Sequence, residues 1–356
     1  MTRIMTLLAS ASVLALSGCQ YLGSDAELEP AVADTPPPVE KVVEDVIEIE
    51  TVETVKTPMP ELSNADALQA VLDAQPDEVK ARYGARHPAE TMAFFGIEPG
   101  MTVVEVLPGG GWYSKILMPY LGSGGTLVGA QYPADMWAKI LPNPDPERVA
   151  ARIESSAKWA ETAAEWGIEG GPAIKNYHLT TLDDAKVDVA DAALLIRALH
   201  NLNRADDDHS TMTAAIAETY RILKPGGVVG VVQHRAPDAN SDEWAVGNAG
   251  YLKQGYVVSA FEAAGFVLEE ASEMNANALD VPSEDDIVWR LPPTRFGSEE
   301  DTPERASVDA IGESDRMTLK FRKPAAKSVE VTVETIVEKT VEDAVEAVED
   351  MASDAS

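Results

Sequence analysis

Five histidines are spread along the 356-residue chain, and three of them stand where chemistry is easiest to place. His178 closes Ala173 to His178, which reads as a third strand. His200-Asn201 follows Ala190 to Ile196, and His234-Arg235 follows Val228 to Gln233. Imidazole titrates near neutral pH, so His200 or His234 suits a base for an O–H or N–H nucleophile, or a group that orients a substrate. Arg235 suits a bidentate contact with a carboxylate or phosphate. The plainer role for each histidine is a loop hydrogen bond. No His-x-x-x-His or Glu-x-x-His pairing occurs and Cys19 is the only cysteine. No metal site is therefore expected, although carboxylates alone can hold a hard cation. Neither a Gly-x-Ser-x-Gly elbow nor a Gly-x-x-x-x-Gly-Lys-Ser/Thr turn is present, which disfavours a serine hydrolase and a P-loop enzyme.

The second constellation is a glycine turn. Val103-Val104-Glu105-Val106-Leu107 runs into Pro108-Gly109-Gly110-Gly111-Trp112, a strand that opens through glycines into a helix. Glycines let the backbone approach a ligand closely, and the helix start offers free N–H groups. Glu105 can accept from ligand N–H groups or order the turn. Trp112 and Tyr113 can wall a pocket or pack on the sheet. Tyr251, Lys253 and Tyr256 can line a substrate channel or a surface loop. Many nucleotide binders carry one glycine turn, so the second turn, Leu223-Lys224-Pro225-Gly226-Gly227, matters.

With both turns in this order, the sequence resembles the class I S-adenosylmethionine (SAM) dependent methyltransferases. It is most similar to a group of predicted bacterial members carrying Arg86-His87-Pro88-Ala89-Glu90, Phe94-Phe95-Gly96, Pro108 to Tyr113, His200-Asn201 and His234-Arg235. The resemblance implies a Rossmann-like, doubly wound sheet of seven strands in the order 3-2-1-4-5-7-6 with the last strand antiparallel. It implies SAM as cofactor, bound at Glu105, Gly109, Gly110, Gly111, Gln131 and Asp183, and a small-molecule acceptor. Leu107 departs from the family's first glycine, and Gln131 replaces the acidic residue that holds the ribose hydroxyls.

The positioning elements alternate. Leu62 to Tyr83 and Ala89 to Gly96 read as helices, Thr102 to Leu107 as strand and Trp112 to Leu121 as helix. Thr126 to Ala130 is strand and Arg148 to Trp166 helical. After the strand Ala190 to Ile196 come the helix Thr211 to Leu223, the strand Val228 to Gln233 and the helix Tyr256 to Ala264. Phe266 to Met274 and Met317 to Phe321 suit a closing hairpin, with Asn275 to Arg316 an excursion over the sheet edge or near the site.

Acidic residues number 60 against 28 basic, a net charge of −32, which opposes nucleic acid and anionic lipid headgroups as partners. Arg3, the apolar run Ile4 to Leu16 and Leu16-Ser17-Gly18-Cys19 resemble a bacterial lipoprotein signal, the run being too short to span a bilayer. The expected organisation is a signal peptide over 1–18, an acidic Pro-rich tether over 19–60, the methyltransferase-like domain over 61–324 and an acidic Val-rich tail over 325–356. Acylation at Cys19 implies a lipid-anchored protein of the cell envelope, and Gln20 favours the periplasmic face of the outer membrane. The tails read as solvated segments or as a helix that docks on a partner or on the other tail. Two other functions compete with the enzyme. One is a catalytically silent envelope protein that keeps the fold to bind a ligand. The other is a dinucleotide dehydrogenase, disfavoured because Ser114 stands where the last glycine of Gly-x-Gly-x-x-Gly belongs.

Overall fold

A computed structural model describes residues 62–325. Cys19 with its acylation motif, the tether and the C-terminal tail beyond residue 325 lie outside the described residues.

The strands are β1 Thr102–Val106, β2 Thr126–Gln131, β3 Ala173–His178, β4 Ala190–Ile196, β5 Leu223–His234, β6 Val267–Ser272 and β7 Arg316–Arg322. They make one sheet in the order β3-β2-β1-β4-β5-β7-β6. Neighbours are parallel except where β7 runs antiparallel between β5 and β6. This is the expected doubly wound sheet with its reversed last strand. The central strands are buried on both faces, so β1 and β4 carry near-continuous apolar runs rather than alternation.

The helices are α1 Asn64–Asp73, α2 Asp77–Lys80, α3 Tyr83–Arg86, α4 Pro88–Phe95, α5 Ser114–Leu121, α6 Met136–Ile140, α7 Pro146–Ala157, α8 Trp159–Ala164, α9 Leu199–Asn203, α10 Ser210–Ile222, α11 Gln254–Ala263 and α12 Pro303–Ile311. Two cores flank the sheet. On one face Leu68, Leu72, Met92, Phe95, Ile116 and Trp159, from α1, α4, α5 and α8, pack on Val103, Leu127 and Leu194. On the other, Met212, Ile216 and Phe261, from α10 and α11, pack on Val104, Val106 and Leu195.

Three differences from the sequence reading have local causes. The helix expected over Leu62 to Tyr83 is divided among α1, α2 and α3. Pro76 is extended at ψ 158° and has no N–H to continue a helix. Ser63 does cap α1, accepting from the Asp66 N–H at 3.2 Å. The Leu223 to Gly227 turn is not outside the sheet: β5 starts at Leu223, opposite Ala190, and its register with β4 shifts between Ala190 and Ala192. Finally, the excursion Asn275 to Arg316 carries its own helix, α12. Among the described residues, no helix is long and apolar enough to cross a membrane.

Candidate functional site

Strand order reverses between β1 and β4, and a crevice at the carboxyl ends is the geometric result. A cavity of about 440 Å³ lies there, within the range of small-molecule sites. Its floor comes from the ends of β1, β4 and β5. Its roof comes from the excursion, with Val288, Trp289 and Leu291 to Thr294 lining it. The roof is fixed by a buried carboxylate. Asp280 accepts from Tyr251 Oη at 3.0 Å, Arg290 Nη2 at 3.1 Å and the Asp315 N–H at 2.9 Å. Gly250 makes the seat: a Cβ there would lie 2.1 Å from Val288 Cγ1.

The β1 turn divides its glycines between two jobs. Leu107 turns the chain at φ 54°, a left-handed conformation that costs a bulky residue about 1–2 kcal/mol. Gly109 and Gly110 line the cavity. No atom lies within 4 Å of a Cβ placed on Gly110, and only Leu107 O, at 3.9 Å, comes near one on Gly109. Backbone there is bare and open to a ligand. Gly111 is different. At φ 74° its Cβ would meet Trp166 Cη2 at 2.1 Å, and it does not line the cavity. The indole of Trp166, rather than a ligand, accounts for this glycine.

Glu105 is buried on the cavity wall. Ser114 Oγ donates to its Oε2 at 2.5 Å. Burial pushes its carboxyl up to about 7, against the opposing effect of the Ser114 bond. Ser114, the residue that breaks the dinucleotide pattern, is thus spent on this carboxyl.

His200 and His234 both line the cavity and are both buried. Gln233 fixes the first. Its Nε2 donates to Gly250 O at 3.1 Å, so its Oε1 faces His200 Nδ1 at 3.3 Å. Gln233 Nε2 stands at the same 3.3 Å from Nδ1, so Gln233 engages that ring nitrogen in either tautomer. His234 Nδ1 shares a hydrogen bond of 2.5 Å with Ser314 Oγ. Burial, with nearby arginines adding to it, pushes His200 down to about 3. Burial and then the charges of its neighbours hold His234 well below the usual histidine range. Both rings are neutral at physiological pH.

Three expected site residues lie elsewhere. Arg235 follows His234 and, by strand alternation, points away from it. Its guanidinium is bound by Asp315 at 2.8 Å and Glu273 at 2.7 Å, leaving no free fork for a substrate carboxylate. Gln131 is buried but does not line the cavity. Its Nε2 would stand 3.0 Å from a Cβ on Gly129, a spot that Trp159 Cε3 approaches at 2.5 Å, so it shares the Gly129 face while Tyr132 takes the cavity face. Asp183 is exposed and caps a short turn, accepting from the Ala185 N–H at 3.0 Å. That bond, not a cofactor, accounts for its carboxylate. His178 likewise pairs its Nδ1 with Tyr132 O at 2.8 Å.

Among the site residues not singled out from sequence are three basic ones. Arg82, Arg86 and Arg197 line the cavity beside Glu313. Arg86 stands in a quoted signature, Arg86 to Glu90, but no periodicity marks it as facing a crevice. Arg197 was hidden at the end of an apolar strand, where its φ of 57° is invisible in sequence. Among the described residues no group of three or more His, Cys, Asp or Glu is placed to hold a metal ion.

No family model matches the chain, and no curated protein matches it. Solved structures are similar in fold. A SAM dependent methyltransferase from Aquifex aeolicus is 13% identical over 74% of this chain and 100% of its own, with a TM-score of 0.41. Geranyl diphosphate C-methyltransferase from Streptomyces coelicolor A3(2), solved with Mg2+, geranyl diphosphate and S-adenosyl-L-homocysteine, is 14% identical over 71% of this chain and 87% of its own, at 0.42. The [4+2]-cyclase SpnF is 18% identical over 68% and 81%, at 0.42. The sheet order above stands on the strand pairing itself and takes nothing from these likenesses.

Proposed function

We propose that the chain is a SAM-dependent methyltransferase acting on a small molecule in the cavity at the carboxyl ends of β1, β4 and β5. The observation that carries this reading is the bare, outward-facing backbone of Gly109 and Gly110, which opens on that cavity beside the two histidines. The residues present fit the cofactor at its polar end. Backbone N–H groups of the turn suit a carboxylate, and Glu105 suits an ammonium, whose charge would favour the ionised carboxyl. When bound, SAM supplies an electrophilic methyl on a sulfonium whose leaving group is neutral. The chain then has to exclude water, align the nucleophile and accept its proton. The Val288 to Thr294 roof excludes water. His200, held at Nδ1 by Gln233, serves as proton acceptor or orienting group, and His234 with Ser314 holds the acceptor from the neighbouring strand end. The test is transfer of a labelled methyl group from SAM by the full chain to the small-molecule fraction of a cell extract. Transfer by wild type and its loss in Gly110→Leu are expected, and no transfer by either variant would overturn the reading.

A second reading is a silent binding protein of this fold. One observation favours it: Gln131 is turned off the cavity, so β2 offers the ribose hydroxyls no carboxylate. Labelled transfer decides between the two. We also propose acylation at Cys19 and residence in the cell envelope on the strength of Leu16-Ser17-Gly18-Cys19. Membrane partitioning that persists in Cys19→Ser would contradict the anchor.

A further inference from the structure

We propose that the second ligand of this cavity, the methyl acceptor, is an anion whose carboxylate or phosphate group is held by Arg86 and Arg197. The proposal rests on the methyltransferase reading for the word acceptor, and on the arginines alone for the anion.

Three guanidiniums converge on one carboxylate. Glu313 receives Arg82 at 2.5 Å, Arg86 at 3.4 Å and Arg316 at 3.2 Å. Arg197 is close enough to feel the charges of Glu313, Arg82 and Arg316, yet among the described residues it makes no ion pair and its Nε is buried without a partner. Arg86 is 1% exposed, lies with its guanidinium carbon 4.5 Å above the Trp112 ring, and leaves its Nη1 without a partner. Guanidinium N–H groups are strong donors, and burying one without an acceptor is costly. Both arginines line the same cavity and the two orphaned atoms are buried in its wall, so an acceptor is missing there.

The cofactor does not close this account. SAM carries one carboxylate against an ammonium and a sulfonium, so its arrival adds positive charge to a site already rich in it. Glu105, with its carboxyl pushed up to about 7, is matched to that ammonium rather than to the arginines. The remaining ligand has to bring the negative charge. An anion there would also offset the arginine charges that, after burial, hold His234 in its neutral form, making the imidazole a better proton acceptor only when the acceptor is in place.

The experiment is a fluorescence titration of the full chain, read through Trp112 and Trp289 in the cavity wall. The probes are inorganic phosphate and succinate at constant ionic strength, with and without saturating S-adenosylhomocysteine, and neutral succinamide as control. Saturable binding of one or both anions is expected, with S-adenosylhomocysteine bound at the same time and no response to succinamide. Which anion binds tells a phosphate acceptor from a carboxylate one. Arg197→Gln should weaken the anion about tenfold or more, the usual loss for a charge-assisted bond, and Arg197→Lys should recover part of it. Near-ultraviolet circular dichroism checks that each variant is folded. Arg86→Gln should weaken the anion likewise, and if it fails to fold the Arg197 pair decides alone. Absence of saturable anion binding, unchanged affinity in Arg197→Gln, or competition between anion and S-adenosylhomocysteine would overturn the proposal, the last by giving the arginines to the cofactor carboxylate. Arg197-dependent anion binding without S-adenosylhomocysteine binding would support the anion site and bring down the cofactor reading instead.

Discussion

The rings of His200 and His234 lie with centroids 5.3 Å apart, brought together by the first turn of α9, which follows β4, and by the end of β5, the strand beside it. Each has its Nδ1 occupied, one by Gln233 and the other by Ser314. Two imidazoles thus present their remaining nitrogens to one cavity, and burial keeps both uncharged.

The rate profile should reflect this. With His200 at about 3 and His234 lower than usual, neither histidine should give an acid limb in kcat/KM between pH 5 and 9, and the one limb expected there, near 7, belongs to Glu105 and should be absent from Glu105→Gln. His200→Asn should lower kcat/KM by about 100-fold, the lower range for a positioned base, with S-adenosylhomocysteine affinity unchanged. A limb near 6.5 that persists in Glu105→Gln would contradict the neutral pair. Stability follows the same sign. The unfolded chain takes a proton on His200 near 6.5 while the folded chain resists until about 3, so this contribution to stability is lost as pH falls from 6.5 toward 3.

Glu105 gives the opposite trend. Its folded value of about 7 lies above the ordinary 4.5, so the folded chain holds the proton more tightly. Between those two values stability falls as pH rises. Glu105→Gln cannot lose a proton, so its stability relative to wild type should rise across pH 4.5 to 7 and then level off, by on the order of 3 kcal/mol. Urea denaturation at pH 4.5 and pH 8 measures it. A gap independent of pH would contradict a carboxyl held protonated by burial.

Gly111 is predicted to be a packing glycine. Gly111→Ala should destabilise by on the order of 3 kcal/mol, from overpacking against Trp166 and a left-handed alanine. Adding Trp166→Leu should recover the packing part and leave the backbone part of about 1 kcal/mol. If the double variant melts no higher than Gly111→Ala, Trp166 is not the cause.

Arg235, expected from sequence to hold a substrate anion, should now be dispensable for chemistry. Arg235→Gln removes its bonds to Glu273 and Asp315 and should cost about 1 kcal/mol of stability, with methyl transfer unchanged. A loss of transfer without a loss of stability would return it to the site.

The contrast between Arg235 and Arg197 shows what sequence carries. Strands were legible where short segments bounded by turn residues alternate with helical patterns, and β3 and β4 agree residue for residue with the expectation. The glycine turn was legible as a turn, because glycine adopts positive φ and permits close approach at the least cost. Which glycine faces the ligand was not legible, since that depends on Trp166 arriving from 55 positions further along the chain. Face was the recurring difficulty. Gln131 and Tyr132, or His234 and Arg235, are neighbours in sequence and opposites in space, and a one-residue choice of register exchanges their roles. The arginine wall was assembled from α2–α3, the end of β4 and the approach to β7, three places with no shared pattern.

The central claim, that the turn after β1 cradles a SAM-type ligand, is tested most directly by calorimetric titration of S-adenosylhomocysteine into the full chain. The account predicts one saturable site in wild type and its loss in Gly110→Leu, whose side chain would enter the space now open above that residue. No binding by wild type up to about 1 mM, the upper range of enzyme–ligand constants, would contradict it.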